Sequence, residues 1–215
     1  MERIENDPRF ELYYEMLIDW NQRMNLTSIT DRDEVYKKHF FDSLAALPLL
    51  KDGSDVIDVG TGAGFPGVPL LILNPTLKMT LVDSQVKRLR FLDCLLQELG
   101  LEAELVQSRA EELARNNLYR ESYDYVLSRA LAALPALLEL TVPFARVGGI
   151  SICYKGLYAK EVTAAKNAAS VLNCEMEVKP LKSDYGARCL VLAHKRKRTP
   201  QAFPRRSGIP ARMPL

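Results

Sequence analysis

Short apolar runs alternate with amphipathic segments along the chain from residue 55 onwards. Apolar runs of four to eight residues bounded by turn residues predict buried strands, whereas apolar positions three or four residues apart predict helices. Seven strands are predicted, at residues 55–59, 78–83, 103–107, 123–127, 147–153, 174–181 and 187–194. Helices are predicted beside these strands, at residues 66–73, 85–99, 109–116, 133–142 and 157–172.

Two further helices are predicted ahead of the first strand. Residues 8–23 carry apolar side chains at helical spacing. In residues 31–47, Asp31 and Glu34 have the spacing of a capping box, and Pro48 limits the helix at its other end. Residues 1–50 are therefore expected to form a helical part in front of the sheet.

The order of these elements predicts the fold. Strands that alternate with helices form a parallel sheet covered by helices. The last two strands are separated by a turn at residues 183–186, which is too short for a crossover, so they should form an antiparallel hairpin. We predict an α/β fold with a mostly parallel seven-stranded sheet, an antiparallel edge hairpin and N-terminal helices. Ligands of such sheets bind at the carboxyl ends of the strands.

The composition is that of an ordinary globular protein. The chain has 215 residues, of which 47% are hydrophobic and 26% are charged. This length fits one domain, which we place at residues 1–194. No apolar run reaches the roughly 18 residues that a membrane helix needs, and the charged residues 1–10 do not resemble a signal peptide. We expect a cytoplasmic protein without membrane attachment.

The cysteines indicate neither a metal centre nor a disulfide framework. They are widely spaced, without a histidine at metal-ligand spacing, at Cys94, Cys153, Cys174 and Cys189. Reduced, buried thiols are the simplest interpretation, so no metal site is predicted.

The C-terminal residues 195–215 have an unusual charge. They hold seven basic side chains and no acid, which leaves 22 basic against 27 acidic residues in the rest of the chain. Their four prolines exclude a long helix or a central strand. Two interpretations stay open: an arm that binds phosphates of a nucleic acid, or a solvated terminus that aids solubility.

A glycine-rich loop follows the first predicted strand. Read from Gly62, the segment 62–67 matches the G-x-G-x-x-G pattern of dinucleotide sites, but Pro66 removes one backbone donor and Phe65 adds bulk. Read from Asp58, an acid ends the strand and is followed by Gly60, Gly62 and Gly64. That frame favours a cofactor with an amino-acid moiety, such as S-adenosylmethionine, because a carboxylate can meet an ammonium.

Residues after the next two strands fit a nucleoside. Asp83 ends the second strand, where a carboxylate can accept both ribose hydroxyls; both NAD and S-adenosylmethionine enzymes share this feature. Residues 107–111 follow the third strand, where an adenine would lie. Glu111 either contacts the cofactor or is an acid favoured in the first turn of a helix.

Taken together, several segments resemble the GidB/RsmG family. They are residues 58–67, residues 81–84 with Lys87 and Arg88, residues 128–130, Trp20 and Asn21 with residues 25–27, His39 with Asp42 and Ser43, and residues 204–210. The resemblance covers about residue 17 to the end of the chain. Members of this family are bacterial enzymes with a Rossmann-like fold that use S-adenosylmethionine. They methylate N7 of one guanine, guanine 527, in the decoding-centre loop of 16S ribosomal RNA.

The resemblance also implies roles for individual residues. It places Gly60, Phe65, Ala110, Glu111 and Arg129 at the cofactor, with Asp83 on the ribose. We predict that Gly62 and Gly64 of the same loop also bind the cofactor. No catalytic residue is certain from the sequence. The candidates are Arg129 and the polar helix face formed by His39, Asp42 and Ser43.

Structural alternatives remain for these and other residues. The alternative role of Arg129 is a structural ion pair. For His39, Asp42 and Ser43 the alternative is a solvated helix face with local hydrogen bonds. Phe65 and Tyr154 suit either base stacking or core packing. Lys155 suits either an RNA phosphate or an ordinary surface position, and Cys153 is most simply a core thiol.

The predicted chemistry needs no general base, because N7 of guanine carries a lone pair and no proton. The expected partner is 16S rRNA or the small ribosomal subunit, and the expected oligomeric state is a monomer. Three other functions stay open on the residues alone: methylation of a protein or small molecule, nicotinamide-dependent oxidoreduction, and RNA binding without catalysis.

Overall fold

The computed structural model describes residues 2–156 and 158–215, with side chains from residue 4 onwards. Its centre is one sheet of seven strands, namely Asp55–Val59 (β1), Lys78–Asp83 (β2), Glu104–Gln107 (β3), Tyr123–Arg129 (β4), Ala145–Lys155 (β5), Cys174–Leu181 (β6) and Arg188–Lys195 (β7). Their order is β3-β2-β1-β4-β5-β7-β6. Strands β1 to β5 are parallel, whereas β7 is antiparallel to both β5 and β6. The predicted fold class, including the edge hairpin, is confirmed.

The α-helices lie on both sides of this sheet and ahead of it. They are Glu2–Glu5 (α1), Pro8–Met24 (α2), Arg32–Val35 (α3), Gly67–Leu73 (α4), Val86–Leu99 (α5), Ala110–Leu113 (α6), Leu134–Thr141 (α7), Ala159–Ala164 (α8), Lys166–Val171 (α9) and Ile209–Arg212 (α10). Helix α2 begins where the Asp7 side chain accepts a hydrogen bond from the backbone N–H of Arg9. Its Phe10, Tyr13 and Leu17 are buried, which fixes the N-terminal part against the sheet domain.

Three predicted helices differ in their extent. The segment 31–47 begins at the predicted cap, where Asp31 accepts from the backbone N–H of Glu34 at 3.0 Å, but it continues as a π-helical segment, Tyr36–Phe41. It then forms a 3₁₀ segment, Leu44–Leu49, in which Pro48 lacks the N–H that an α-helix would use.

The other two differences lie beyond the third and fifth strands. The segment 109–116 is helical only over α6. The segment 157–172 is divided into α8 and α9, and Leu157 lies outside the described residues. Both breaks lie at buried positions, because Ala114 after α6 and Ala165 between α8 and α9 are each 0% exposed, so apolar spacing alone does not set the length of these helices.

The sheet order creates a switch point between β1 and β4. The chain continues outward to β2 and β3 on one side and to β4 and β5 on the other. Crossovers on opposite sides of such a point leave a crevice at the carboxyl ends of the two central strands. This crevice holds the residues that follow β1 to β4.

The C-terminal residues fold back onto the body of the protein. Lys195, at the end of β7, is buried and pairs with Glu121 at 2.8 Å. Further along, Arg205 pairs with the fully buried Glu139 at 2.6 Å. Helix α10 then forms one short turn. In the described part of the chain, no helix is long and apolar enough to cross a membrane.

Candidate active site

A cavity of about 260 Å³ lies at the carboxyl edge of the sheet, at the ends of β1 to β4. Four of the predicted cofactor residues line it, namely Gly60, Asp83, Ala110 and Glu111. The wall also includes Ala211 of α10, which the sequence did not indicate. A larger cavity, of about 790 Å³, lies beside α3 and the β6–β7 turn and contains none of the predicted cofactor residues.

Gly60 lets the loop after β1 turn at the cavity. Its φ angle is +74°, and a Cβ atom at this position would lie 2.7 Å from the side chain of Leu131. The backbone N–H groups of Gly60 and Thr61 both donate to the carbonyl of Val82, at 2.9 and 3.0 Å. The loop is therefore tied to the neighbouring strand, and a larger residue at Gly60 would be strained and crowded.

Asp58 braces the glycine loop from inside. Its Oδ2 accepts from the hydroxyl of Thr61 at 2.8 Å and from the backbone N–H of Gly67 at 2.9 Å. Complete burial raises the pKa of this carboxyl to about 6. Its Oδ1 is also buried and has no hydrogen-bond partner among the described residues. Oδ2 of Asp58 thus holds the loop, while Oδ1 remains able to accept a hydrogen bond.

Asp83 links the glycine loop to β2. Its Oδ2 accepts from the backbone N–H of Gly62 and from the guanidinium of Arg88, both at 3.1 Å. Its Oδ1 accepts from the backbone N–H of Gln85 at 2.8 Å. Since a carboxylate oxygen can accept two hydrogen bonds, Oδ1 keeps one acceptor position. Gly62 therefore contacts the predicted ribose acid rather than lining the cavity itself.

Gly64 and Phe65 face the N-terminal helices instead of the cavity. A Cβ atom on Gly64 would lie 2.5 Å from the hydroxyl of Tyr13. The ring of Phe65 stacks on the ring of Tyr13, at 5.3 Å between centroids, and on the imidazole of His39, at 4.7 Å. These two loop residues connect the glycine loop to the helical part of the protein.

A second group of polar residues surrounds Arg129 at the end of β4. Its guanidinium donates to the backbone carbonyl of Lys38 at 3.0 Å and to Asp42 at 3.3 Å, and lies 3.1 Å from Nδ1 of His39. It also lies over the ring of Phe65, 5.1 Å from its centroid. Only 12% of the Arg129 side chain is exposed. The structure thus brings together three of the four catalytic candidates with Phe65.

Two residues that the sequence did not indicate complete this group. Arg188 donates to both oxygens of Asp42, with 2.8 Å from its Nε, and the hydroxyl of Tyr185 donates to the same carboxylate at 2.9 Å. Asp42 therefore bridges Arg129 and the start of β7. Only the topology could have pointed to these two residues: the β6–β7 turn lies at the same sheet edge as the end of β5.

The remaining candidates are held by local contacts. Ser43 is buried, and its hydroxyl donates to the carbonyl of His39. The hydroxyl of Tyr154, also buried, donates to the carbonyl of Ser43. Lys155 pairs with Glu161 at 2.7 Å. Burial raises the pKa of the Cys153 thiol to about 11, so this thiol is protonated at neutral pH.

Glu111 is shared between the cavity and the C-terminal segment. It lies at the start of α6 and is buried. Its Oε1 accepts from the backbone N–H of Gly208 at 2.9 Å. The contact with a cofactor and the first-turn position in a helix are therefore compatible, since the residue lines the cavity in its helical position.

Comparison with known proteins identifies close relatives of the whole chain. The family model GidB, described as rRNA small subunit methyltransferase G, matches residues 6–188. The ribosomal RNA small subunit methyltransferase G of Lactobacillus acidophilus is 45% identical over 216 residues, covering 96% of this chain and 90% of that protein. The protein of the same name from Desulfitobacterium hafniense is also 45% identical, covering 96% of this chain and 88% of its own length.

Solved structures support the fold. A precorrin-6y C5,15-methyltransferase from Geobacter metallireducens superposes with a TM-score of 0.54. It is 15% identical, and the match covers 73% of this chain and 87% of that one. At this identity the likeness supports a common architecture and says nothing about the substrate.

Proposed function

Because this chain belongs to the GidB family, whose model is described as rRNA small subunit methyltransferase G, we propose that it methylates N7 of a guanine in 16S rRNA. The family and the fold imply S-adenosylmethionine as the methyl donor. The observation that carries the proposal is the match to rRNA methyltransferases over 96% of the chain. The position, guanine 527 of the decoding-centre loop, comes from the family resemblance alone.

The cavity at the switch point fits a nucleoside cofactor. Asp83 would accept from the ribose hydroxyls, for which its Oδ1 keeps one acceptor position. Ala110 and Glu111 would lie beside the adenine, and Gly60 would allow close approach of the backbone. The Oδ1 atom of Asp58 is buried without a hydrogen-bond partner among the described residues, which is costly. The ammonium group of the amino-acid moiety of S-adenosylmethionine would supply a donor for it.

The work left to the protein is positioning. When bound, S-adenosylmethionine supplies an electrophilic methyl group that the lone pair of guanine N7 can take without prior loss of a proton. The chain therefore needs to align the base and exclude water, and such alignment contributes several kcal/mol to lowering a barrier. The polar group around Arg129 suits this task, because none of its members is a free base.

His39 and Asp42 illustrate that point. Burial, followed by the charge of Arg129, lowers the pKa of His39 to about 4, so its imidazole is neutral at neutral pH. Both of its ring nitrogens are already within hydrogen-bond distance of Arg129 or Thr27. Asp42 accepts from three side chains, those of Arg129, Tyr185 and Arg188. We assign these residues to holding Arg129 in place beside the reacting base.

The target guanine must be accessible. In an A-form helix N7 lies in a deep, narrow groove, so the enzyme needs a loop or an extruded base. We expect the protein to act as a monomer in the cytoplasm, on 16S rRNA or on the small subunit.

The test is incorporation of label from methyl-labelled S-adenosylmethionine. Small subunits from a strain without the modification are the substrate, with naked 16S rRNA as a second substrate and large subunits as the matched control. We expect label in 16S rRNA and none in the large subunit. Label in protein, or none in either RNA substrate, would contradict the proposal.

A further inference from the structure

We propose that the C-terminal segment, residues 204–213, is part of the cofactor site and covers the nucleoside half of S-adenosylmethionine, with Glu139 positioning it. This inference rests on the proposed function, because it concerns the same cofactor. It differs from both interpretations of the charge of residues 195–215, a phosphate-binding arm and a solvated terminus.

The first observation is where the segment meets the cavity. Ala211 lines the same cavity as Asp83 and Ala110. Just before it, the backbone N–H of Gly208 donates to Glu111 at 2.9 Å, and Ser207 accepts from the guanidinium of Arg109 at 3.3 Å. The segment therefore contacts the residues that follow β3, which is the adenine side of the proposed site.

The second observation is the buried ion pair that holds the segment. Glu139 lies on α7 and is 0% exposed. Its carboxylate accepts from the backbone N–H of Arg205 at 2.7 Å and from the Nε and Nη2 atoms of the same residue at 2.9 and 2.6 Å. A buried carboxylate without a partner costs several kcal/mol, so Glu139 strongly favours the position of Arg205 seen here.

Arg205 also fixes the far end of the segment. The same Nη2 atom donates to the backbone carbonyl of Met213 at 2.8 Å. The two ends of the turn that contains α10 are thereby joined through one guanidinium. Because Ala211 lies between these two ends, the ion pair with Glu139 fixes the position of Ala211 in the cavity wall.

Two arginines of the body anchor the chain where this segment begins. Arg115 donates to the carbonyl of Pro204 at 2.6 Å, and Arg120 donates to the carbonyl of Phe203 at 2.8 Å. The entry to the segment is therefore fixed by charge-assisted hydrogen bonds, which are stronger than neutral ones. Arg205 itself faces inward to Glu139, so its charge is compensated and contributes little to binding a phosphate.

The shape of the wall suits a flat ring. The residues that line the cavity include four alanines from three separate parts of the chain, namely Ala110, Ala130, Ala132 and Ala211. Methyl groups at these positions leave room for a purine and present an apolar surface to its face. A leucine at Ala211 would fill part of that room, and because Ala211 is exposed, folding should not be impaired.

The experiment measures the dissociation constants of S-adenosylmethionine and S-adenosylhomocysteine by calorimetry, without RNA. The variants are Ala211→Leu and Glu139→Gln in the full-length chain, and Gln201→Leu is the matched control because Gln201 is an exposed tail residue that does not line the cavity. We expect both cofactor ligands to bind about tenfold more weakly to Ala211→Leu, since the longer side chain would occupy space that the purine needs. Binding to Gln201→Leu should equal that to the wild type.

Glu139→Gln separates positioning from a general loss of structure. We expect the KM for S-adenosylmethionine to rise about tenfold, with kcat at saturating cofactor within about twofold of the wild type, because only the wall is displaced. Hydrogen exchange gives an independent readout: S-adenosylhomocysteine should protect the backbone of residues 206–213 in the wild type and protect it less in Glu139→Gln.

The outcomes distinguish this inference from the proposed function. If the wild type binds no S-adenosylmethionine, the proposed function itself fails. If the wild type binds the cofactor and methylates rRNA, but Ala211→Leu binds it with unchanged affinity, the inference alone is overturned. Unchanged cofactor binding in both variants, together with weaker binding of 16S rRNA when that is measured separately on the same proteins, would likewise overturn it, in favour of an RNA-binding arm.

Discussion

Nδ1 of His39 lies 3.1 Å from a guanidinium nitrogen of Arg129. Because a guanidinium only donates, Nδ1 must accept, and the ring proton is then on Nε2, which lies 2.8 Å from the hydroxyl of Thr27. Burial and the charge of Arg129 lower the pKa of His39 to about 4, from an ordinary value of 6.5. The neutral imidazole is therefore part of the structure that holds Arg129.

This relationship predicts a pH-dependent stability. Between pH 6.5 and about 4 the unfolded chain protonates His39 and the folded protein does not. The contribution of His39 to the free energy of unfolding is thus fully present above pH 6.5 and is lost as the pH falls through this window. Urea unfolding at pH 7.5 and pH 5 should show the wild type losing about 1–2 kcal/mol relative to His39→Gln. The prediction would be contradicted if the unfolding free energy of the wild type, measured relative to that of His39→Gln, were the same at pH 5 as at pH 7.5 or higher.

Arg129 is expected to be needed for methyl transfer and not for folding. Arg129→Ala should lower kcat/KM by about tenfold or more, while thermal unfolding changes little, because Asp42 still pairs with Arg188. The matched control is Arg146→Ala, which removes a surface arginine paired with Asp124 near the start of β5, at the opposite edge of the sheet. Normal turnover of Arg129→Ala would show that this residue is only structural.

Asp83 is expected to recognise the ribose of the cofactor. Asp83→Asn should weaken binding of S-adenosylhomocysteine by about tenfold, since hydrogen bonds to a charged acceptor contribute about 1.5–3 kcal/mol. The wild type should also bind the 2′-deoxy analogue less tightly, and the variant should lose that discrimination. Asp93→Asn, an exposed position on α5, is the control. Equal discrimination in the variant and the wild type would argue against a ribose contact.

Substitutions of Gly62 and of Gly64, two of the glycines in the loop, should differ in their effect on stability. Gly62→Ala places a methyl group at φ +61° with no atom within 4 Å, and should cost about 1 kcal/mol of unfolding free energy. Gly64→Ala places it at φ +98°, 2.5 Å from the Tyr13 hydroxyl, and should cost about 3 kcal/mol. Urea unfolding of both variants tests this. A smaller loss for Gly64→Ala would mean that Tyr13 can move away.

Much of the fold follows from local patterns in the sequence. The apolar runs that predicted β1, β2 and β6 match the structure to the residue. The parallel sheet followed from the alternation of strands and helices, and the edge hairpin followed from the short connection between the last two strands. The segment 31–47 was harder, because its capping residues set only where it begins, while its π-helical and 3₁₀ geometry depends on packing against the rest of the protein.

Part of the candidate site could be predicted from the sequence. Residues just after strands share one sheet edge, which is why Gly60, Asp83 and Ala110 could be grouped in advance. Tyr185 and Arg188 could not be grouped with Asp42, since their contacts span more than 140 positions of the chain. The tail was interpreted from its net charge, and charge counts do not reveal that Arg205 is paired with a buried acid.

The most direct test of the central claim is mass mapping of nucleosides in 16S rRNA after the protein has acted on unmodified small subunits with S-adenosylmethionine. We predict one new 7-methylguanosine, in the fragment that contains the decoding-centre loop and at guanine 527. No new methylated nucleoside, or a methyl group on another base or another atom of guanine, would contradict the proposed function.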